Sequence, residues 1–217
     1  MKTRRIEGEI LEQSPEQAAG ANLADLARIN RWMGGHRIVR GLLGGLRPPP
    51  RFTMLDVGAA SGDFARLVRR VYPESRVVSV DLHARHMAHA PMPKLVADAF
   101  RLPFAAGAFD YVFCSLLLHH FPDDGVVRLL ESFGRIARRA VIAVDLERTW
   151  LAEWFLPATG PVLRWHPVTL HDGPVSVRAS FRRPDLVRLA ARAGLADPRI
   201  RRHRPWSRLS LVAAALS

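Results

Sequence analysis

One cysteine, two lysines and two tyrosines in 217 residues narrow what this chain can be. Cys114 alone cannot close an internal disulfide, and it lies in an apolar run of strand type. It reads as a core residue in a reducing compartment, so a cytoplasmic protein is expected. Histidines and acidic residues show no zinc-site spacing, and no metal is expected. No run of about 18 apolar residues is present, which excludes a transmembrane helix. The basic start, Met1 to Arg5, is followed by Glu7, Glu9 and Glu12 rather than by an apolar stretch, unlike a signal peptide. Repeats and low-complexity tails are lacking too. An apolar content of 48% over this length suits a single domain with a large core.

The net charge is +12, carried by thirty arginines against two lysines. Such a charge permits a nucleic-acid partner. The arginines are dispersed, however, and the densest groups (135–139, 178–183 and 199–208) have few aromatic residues beside them to stack bases. Arginine in excess beside abundant Ala, Gly and Pro is the bias of a GC-rich, bacterial coding sequence. The charge is therefore less informative than its size suggests, and a nucleic-acid partner is not expected.

Residues 15–47 read as helical, with Leu23, Leu26, Ile29 and Met33 on one face and Gly34-Gly35 as a stop. A short second helix is predicted over Ile38–Leu43, before three prolines stiffen the linker. Strands and helices then alternate: strand 52–57, helix 62–72, strand 76–81, a short helix near 84–89, strands 94–97 and 109–115, helix 123–137 and strand 139–146. That order predicts a parallel sheet covered on both faces. A mixed segment over 148–180 is rich in Trp, Pro and His. Pro184 opens a further helix that Gly194 closes, and residues 198–203 and 209–215 predict a final antiparallel pair.

The most informative stretch is Leu55-Asp56-Val57-Gly58-Ala59-Ala60-Ser61-Gly62-Asp63-Phe64. An apolar strand runs into a small-residue turn and a helix start, which presents bare backbone N–H groups to a polar ligand. Small residues are expected there so that no side chain holds the ligand away. The Gly-x-Gly-x-x-Gly of NAD and FAD binding is missing. Asp-x-Gly-x-x-x-Gly instead resembles motif I of the class I S-adenosylmethionine (SAM) dependent methyltransferases. Val77–Asp81 then resembles the family's second strand, ending in a carboxylate for the ribose hydroxyls. Asp98-Ala99, ahead of Leu102-Pro103-Phe104, resembles its adenine segment, and Phe109–Ser115 its fourth strand. Only Ala60 departs from the pattern, since glycine is usual there.

The resemblance implies a Rossmann-like α/β fold, with a mostly parallel seven-stranded sheet, helices on both faces and an antiparallel last strand. It implies SAM as cofactor, with S-adenosylhomocysteine (SAH) as product. By position it implies a cofactor site of Asp56, Gly58, Ala60, Gly62, Asp81, Leu82, Asp98, Ala99 and Ser115. Residues 1–50 are expected to form a helical cap, and residues 51–217 the core with a substrate insertion near 148–180. Arg31, in that cap, is a candidate partner for the cofactor's carboxylate, since a guanidinium grips a carboxylate with two bonds. Its other reading is a solvated helix face.

For a hydroxyl acceptor the protein must align the nucleophile and remove a proton, which suits histidine. His171-Asp172-Gly173 is expected to be a turn in the substrate region, with His171 the leading base. Its alternative reading is an Asp-Gly turn with a surface histidine. His119-His120 resembles a pair in the quinone-biosynthesis-like branch of the methyltransferases. Trp150, Trp154, Phe155, Leu163 and Trp165 wall an apolar pocket or belong to the core. The reading this favours is O-methylation of a small phenolic, quinone-like or polyketide-like acceptor in secondary metabolism. RNA or protein methylation stands against it, although Ser115-Leu116-Leu117-Leu118 lacks the Asn/Asp-Pro-Pro-aromatic motif of exocyclic-nitrogen methylases. A non-catalytic SAM-binding regulator is the remaining alternative, suggested by Ala60. Oligomeric state is open.

Overall fold

A computed structural model describes residues 3–8, 10 and 16–216, and of residues 16–18 the backbone alone. Residue 15, where the helical region was expected to begin, lies outside the described residues. In chain order the elements are α1 (Glu16–Trp32), α2 (Gly35–Leu46), β1 (Thr53–Val57), α3 (Asp63–Val71), β2 (Arg76–Asp81), β3 (Lys94–Val96), β4 (Phe109–Ser115), α4 (Asp123–Ile136) and β5 (Ala137–Leu146). They continue as α5 (Trp150–Leu163), α6 (Pro167–Ala179), α7 (Arg183–Arg192), β6 (Arg199–His203) and β7 (Arg208–Ala214).

The seven strands form one sheet in the order β3-β2-β1-β4-β5-β7-β6. All pairings are parallel except those of β7, which runs antiparallel to both β5 and β6. This is the sheet that the resemblance implied. Alternation along the central strands sends successive side chains to opposite faces, and both faces are buried. Met54, Tyr111, Phe113, Ile142 and Val144 meet α2 and α3 through Ile38, Val39, Leu43, Phe64 and Val68. Leu55, Val57, Val112, Cys114 and Val141 meet α4 and α7 through Val126, Leu129, Leu130, Phe133 and Leu189. Cys114 is buried among them and free, as its surroundings in the sequence suggested.

Three local expectations are corrected. Residues 84–89 form successive turns, with i→i+3 bonds from His86, Met87 and Ala88, and no regular helix. Residues 148–180 are two helices, α5 and α6, in spite of Pro157, Pro161 and Pro174 inside them. Packing overrides propensity here. Asn22 of α1 donates to Thr169 Oγ1 (3.0 Å), and Thr169 and the His166 N–H donate to Asp25 (2.9 and 2.7 Å). Third, α2 spans twelve residues rather than six, and its buried face belongs to the core. The expected cap thus divides, with α1 alone lying across α6 and the open end of the sheet. No helix among the described residues is long and apolar enough to cross a membrane.

Candidate functional site

The strand order reverses between β1 and β4, and in an open α/β sheet a ligand crevice lies outside the carboxyl ends of the strands at that point. A cavity of about 790 Å³ occupies this position. Its floor is built from strand ends: Asp56 and Val57 of β1, Val80 and Asp81 of β2, Ser115 of β4, Leu146 of β5 and Arg208 at the start of β7. Its roof and far wall come from α1 (Leu23, Leu26, Asn30), from Met33 just beyond that helix and from α5 (Leu151, Phe155, Leu156).

The turn after β1 is fixed by backbone bonds. Ala59 N–H donates to the Val80 carbonyl and Gly62 N–H to the Ala59 carbonyl, at 2.9 and 2.8 Å. Asp81 accepts the Ala60 N–H on Oδ2 (2.9 Å) and the His83 N–H on Oδ1 (3.0 Å). Burial pushes its carboxyl up, but bonds from His86, His83 and Ala60 outweigh that and hold it below the usual carboxylate range. Packing also requires both glycines. At Gly58 (φ +70°) a Cβ would stand 2.8 Å from Leu117, and at Gly62 (φ +73°) 2.6 Å from Pro91.

Ala60 has a φ of +47°. A left-handed alanine costs roughly 1–2 kcal/mol, which accounts for the usual glycine. Ala60→Gly is expected to raise stability by roughly 0.5–1 kcal/mol, less than the full strain because glycine is freer when unfolded. SAH affinity should hold or tighten. Denaturant midpoints would check this, and a destabilised variant would mean that the methyl packs usefully.

Asp56 is fully buried, and its Oδ2 has no hydrogen-bond partner among the described residues. Burial first, then the charges of Asp81 and Asp63, push its carboxyl up to about 8. Its ordinary value is 3.8, so the folded state keeps the proton longer than the unfolded one. Stability should therefore fall as pH rises from about 4 to about 8 and level off above. Asp56→Asn should abolish that decline and be more stable than the parent by a few kcal/mol at pH 8. Ligand-free urea unfolding at pH 5, 7 and 9 tests it, and a parallel decline in the variant would assign the slope elsewhere.

Beside the cofactor turn, a 3-10 turn (Leu118–His120) leaves β4. Because β5 is the next parallel strand, its Asp145 meets His119: Nδ1 to Oδ1 is 2.7 Å, both residues are buried, and the His119 N–H also reaches Oδ2 at 3.3 Å. Burial raises the Asp145 carboxyl, but the charge of and bond from His119, with the Leu146 N–H and His120, hold it below its usual range. An ionised carboxylate only accepts. His119 Nδ1 therefore carries the hydrogen, and Nε2 is the nitrogen that can take a proton. The His120 ring stacks on His119 at 4.3 Å.

The structure brings most of the expected residues together. Asp56, Gly58, Ala60, Asp81, Leu82, Asp98, Ala99, Ser115, His119 and His120 all line the cavity. Gly62 stands behind the turn as the N-cap of α3. Two expectations fail. His171 lies in α6 rather than in a turn; its side chain is half exposed and bonded to Asp172 (2.9 Å), and it is not among the cavity's lining residues. Arg31 is also outside, in a smaller cleft with Trp32, His36, Arg66 and Arg70, because the face of α1 that meets the cavity carries Leu26, Ile29 and Asn30. Of the proposed aromatic wall only Phe155 lines the cavity; Trp150 and Trp154 are exposed, and Trp165 is buried beside Arg28 and Thr159. Sequence reasoning missed Asp145 and Arg208. Asp145 had a signal, as a carboxylate ending an apolar strand, like Asp81. Arg208 had none among thirty arginines.

The donor set fits a cofactor with an adenosine and an amino-acid end. Among the described residues, four buried polar atoms of the lining have no hydrogen-bond partner: Asp56 Oδ2, Ser115 Oγ, His86 Nε2 and Arg208 Nη1. Such atoms are costly unless a ligand satisfies them.

Comparison with known proteins agrees with this geometry. The family model described as "Methyltransferase domain" matches residues 55–145, from β1 through β5. The malonyl-[acyl-carrier protein] O-methyltransferase of Legionella pneumophila is 30% identical over 110 residues, 47% of this chain and 38% of its own length. This chain thus spans well under half of that relative. Among solved structures, magnesium protoporphyrin IX methyltransferase of Synechocystis, which holds SAH, superposes with a TM-score of 0.59 at 16% identity, over 85% of this chain and 83% of that one. A Nostoc punctiforme protein described as a candidate O-methyltransferase gives 0.62 at 17% identity, over 83% and 56%. At such identities the structures speak for the fold. With the matched segment they show that the chain carries a class I methyltransferase domain, with SAM as its cofactor.

Proposed function

We propose that this chain methylates a hydroxyl oxygen of a small, largely apolar acceptor of phenolic, quinone-like or polyketide-like type. One observation carries the reading: a single cavity runs from the Gly58–Gly62 turn to the apolar wall of α1 and α5, with the His119–Asp145 pair in its lining. Asp56, Gly58, Ala60, Asp81, Leu82, Asp98, Ala99 and Ser115 would hold SAM. When bound, SAM supplies a methyl group on a positively charged sulfur, an electrophile that needs no further activation.

The protein's part is to align, to exclude water and to receive a proton. Leu23, Leu26, Leu151, Phe155 and Leu156 provide an apolar surface for the acceptor. His119 Nε2 takes the hydroxyl proton, and Asp145 stabilises the resulting imidazolium and keeps Nδ1 protonated. α1 closes the cavity as the cap. The O-methyltransferase activity of the Legionella relative supports oxygen as the site of transfer.

The test is incubation with isotopically labelled methyl-SAM and three acceptor sets: phenols with hydroquinones and hydroxypyrones, structured RNA, and a protein extract. A singly methylated product from the first set alone is expected. Label entering only RNA or protein would overturn the small-molecule reading, and SAH binding without product from any set would favour a regulator.

A further inference from the structure

Arg208 is the bulkiest of the fully buried side chains described, at 1% exposure, and it lines the cavity. It opens β7 opposite Leu146 of β5. Nη2 donates to the Asn30 side-chain oxygen on α1 (3.1 Å), while Nη1 has no hydrogen-bond partner among the described residues. Nor do they include a carboxylate in ion-pair contact with it. Asp145 exerts a favourable field on it but is committed to His119 and the Leu146 N–H. The contrast is Arg148, also buried, which ends on Asp185 and the Ser180 carbonyl.

A buried guanidinium with an unused N–H edge is expensive unless something brings the opposite charge to it. Arg208 is itself one of the residues that line the cavity. Its planar fork matches a carboxylate better than any other small anion but phosphate. We propose that Arg208, aimed by Asn30, binds a carboxylate inside this cavity. Two ligands bring one: the amino-acid end of the cofactor, or an acceptor that is itself a carboxylic acid. This rests on the reading that cofactor and acceptor share the cavity, and in the first case Arg208 takes the function that Arg31 was expected to have.

The test is calorimetric and needs no turnover. The parent protein, Arg208→Met, Arg208→Lys and Asn30→Ala are titrated with SAH and with methylthioadenosine, which keeps the nucleoside and sulfur but lacks the amino-acid end. The SAH-loaded proteins are then titrated with salicylate and with phenol. Thermal unfolding confirms that each variant is folded; Met preserves length and bulk, and Asn30→Ala serves should Arg208→Met fail to fold. If the cofactor's carboxylate is the ligand, Arg208→Met weakens SAH tenfold or more and leaves methylthioadenosine within twofold. If the acceptor's is, SAH is unchanged, salicylate weakens tenfold and phenol does not move. Lys should restore part of whichever loss is seen, and Asn30→Ala should shift the same ligand by a smaller factor. All affinities within twofold, or equal losses of SAH and methylthioadenosine, would overturn the assignment and leave Arg208 as a structural counter-charge. Neither result depends on which acceptor set is methylated, so failure of this inference is distinct from failure of the proposed function.

Discussion

Replacing His119 by Ala should lower turnover of a phenolic acceptor by a hundredfold or more while leaving SAH affinity within about twofold. General-base catalysis contributes roughly 10²–10⁴ in rate, and the residue's two nitrogens are already assigned. Asp145 accepts from Nδ1 at 2.7 Å, so the proton must pass through Nε2. Asp145→Asn should fall nearly as far, because an amide can present its own N–H and favour the wrong tautomer. His171→Ala serves as the internal contrast, and its rate should stay within about twofold, since its side chain is half exposed and lies outside the cavity. A loss below about twofold in His119→Ala would mean that alignment alone carries the reaction.

Asp81→Ala should cost SAH affinity by about 10- to 150-fold, the equivalent of one charge-assisted hydrogen bond of roughly 1.5–3 kcal/mol. Its part is double. The carboxylate is the resemblance-derived partner of the ribose hydroxyls, and it also anchors the turn through the Ala60 and His83 N–H groups. Asp81→Asn, which keeps an acceptor oxygen on that turn, should lose less. The Asp81 charge also helps hold the Asp56 carboxyl up. Removing it should therefore shallow the decline of stability with pH, an effect visible without any ligand. Unchanged SAH affinity in the alanine variant would take Asp81 out of the site.

The sheet was legible because its signals are local. Buried parallel strands must be apolar on both faces, and Phe52–Val57, Val77–Val80, Tyr111–Cys114 and Val141–Val144 read as such runs. The cofactor side followed from one turn and two carboxylates, each at a strand end. The acceptor side was much harder. Asp172-Gly173 suggested a turn, yet α6 persists there because Asn22, Asp25 and Thr169 tie it to α1, a partnership more than 140 residues apart. His171 was misjudged with it, since rotation about a helix decides which of His171, Asp172 and Gly173 faces inward. Arg31 failed for the same reason: one residue along a helix is about 100° of rotation, and Asn30 has the inward place. Asp145 and Arg208 depended on strand neighbours that no spacing reveals.

Asn30 and Arg208 meet across 178 residues of chain. A ribosome adding about 5–20 residues per second needs roughly 10–35 s to pass from one to the other. During that interval β1, β2 and β4 can assemble the Gly58–Gly62 turn, but the cavity lacks one edge and its buried cation. The wall is complete only once β7, the strand on which β6 pairs, lies against β5. If Arg208 holds a ligand's carboxylate as proposed, a chain that still lacks β7 should bind that ligand less tightly than the complete one.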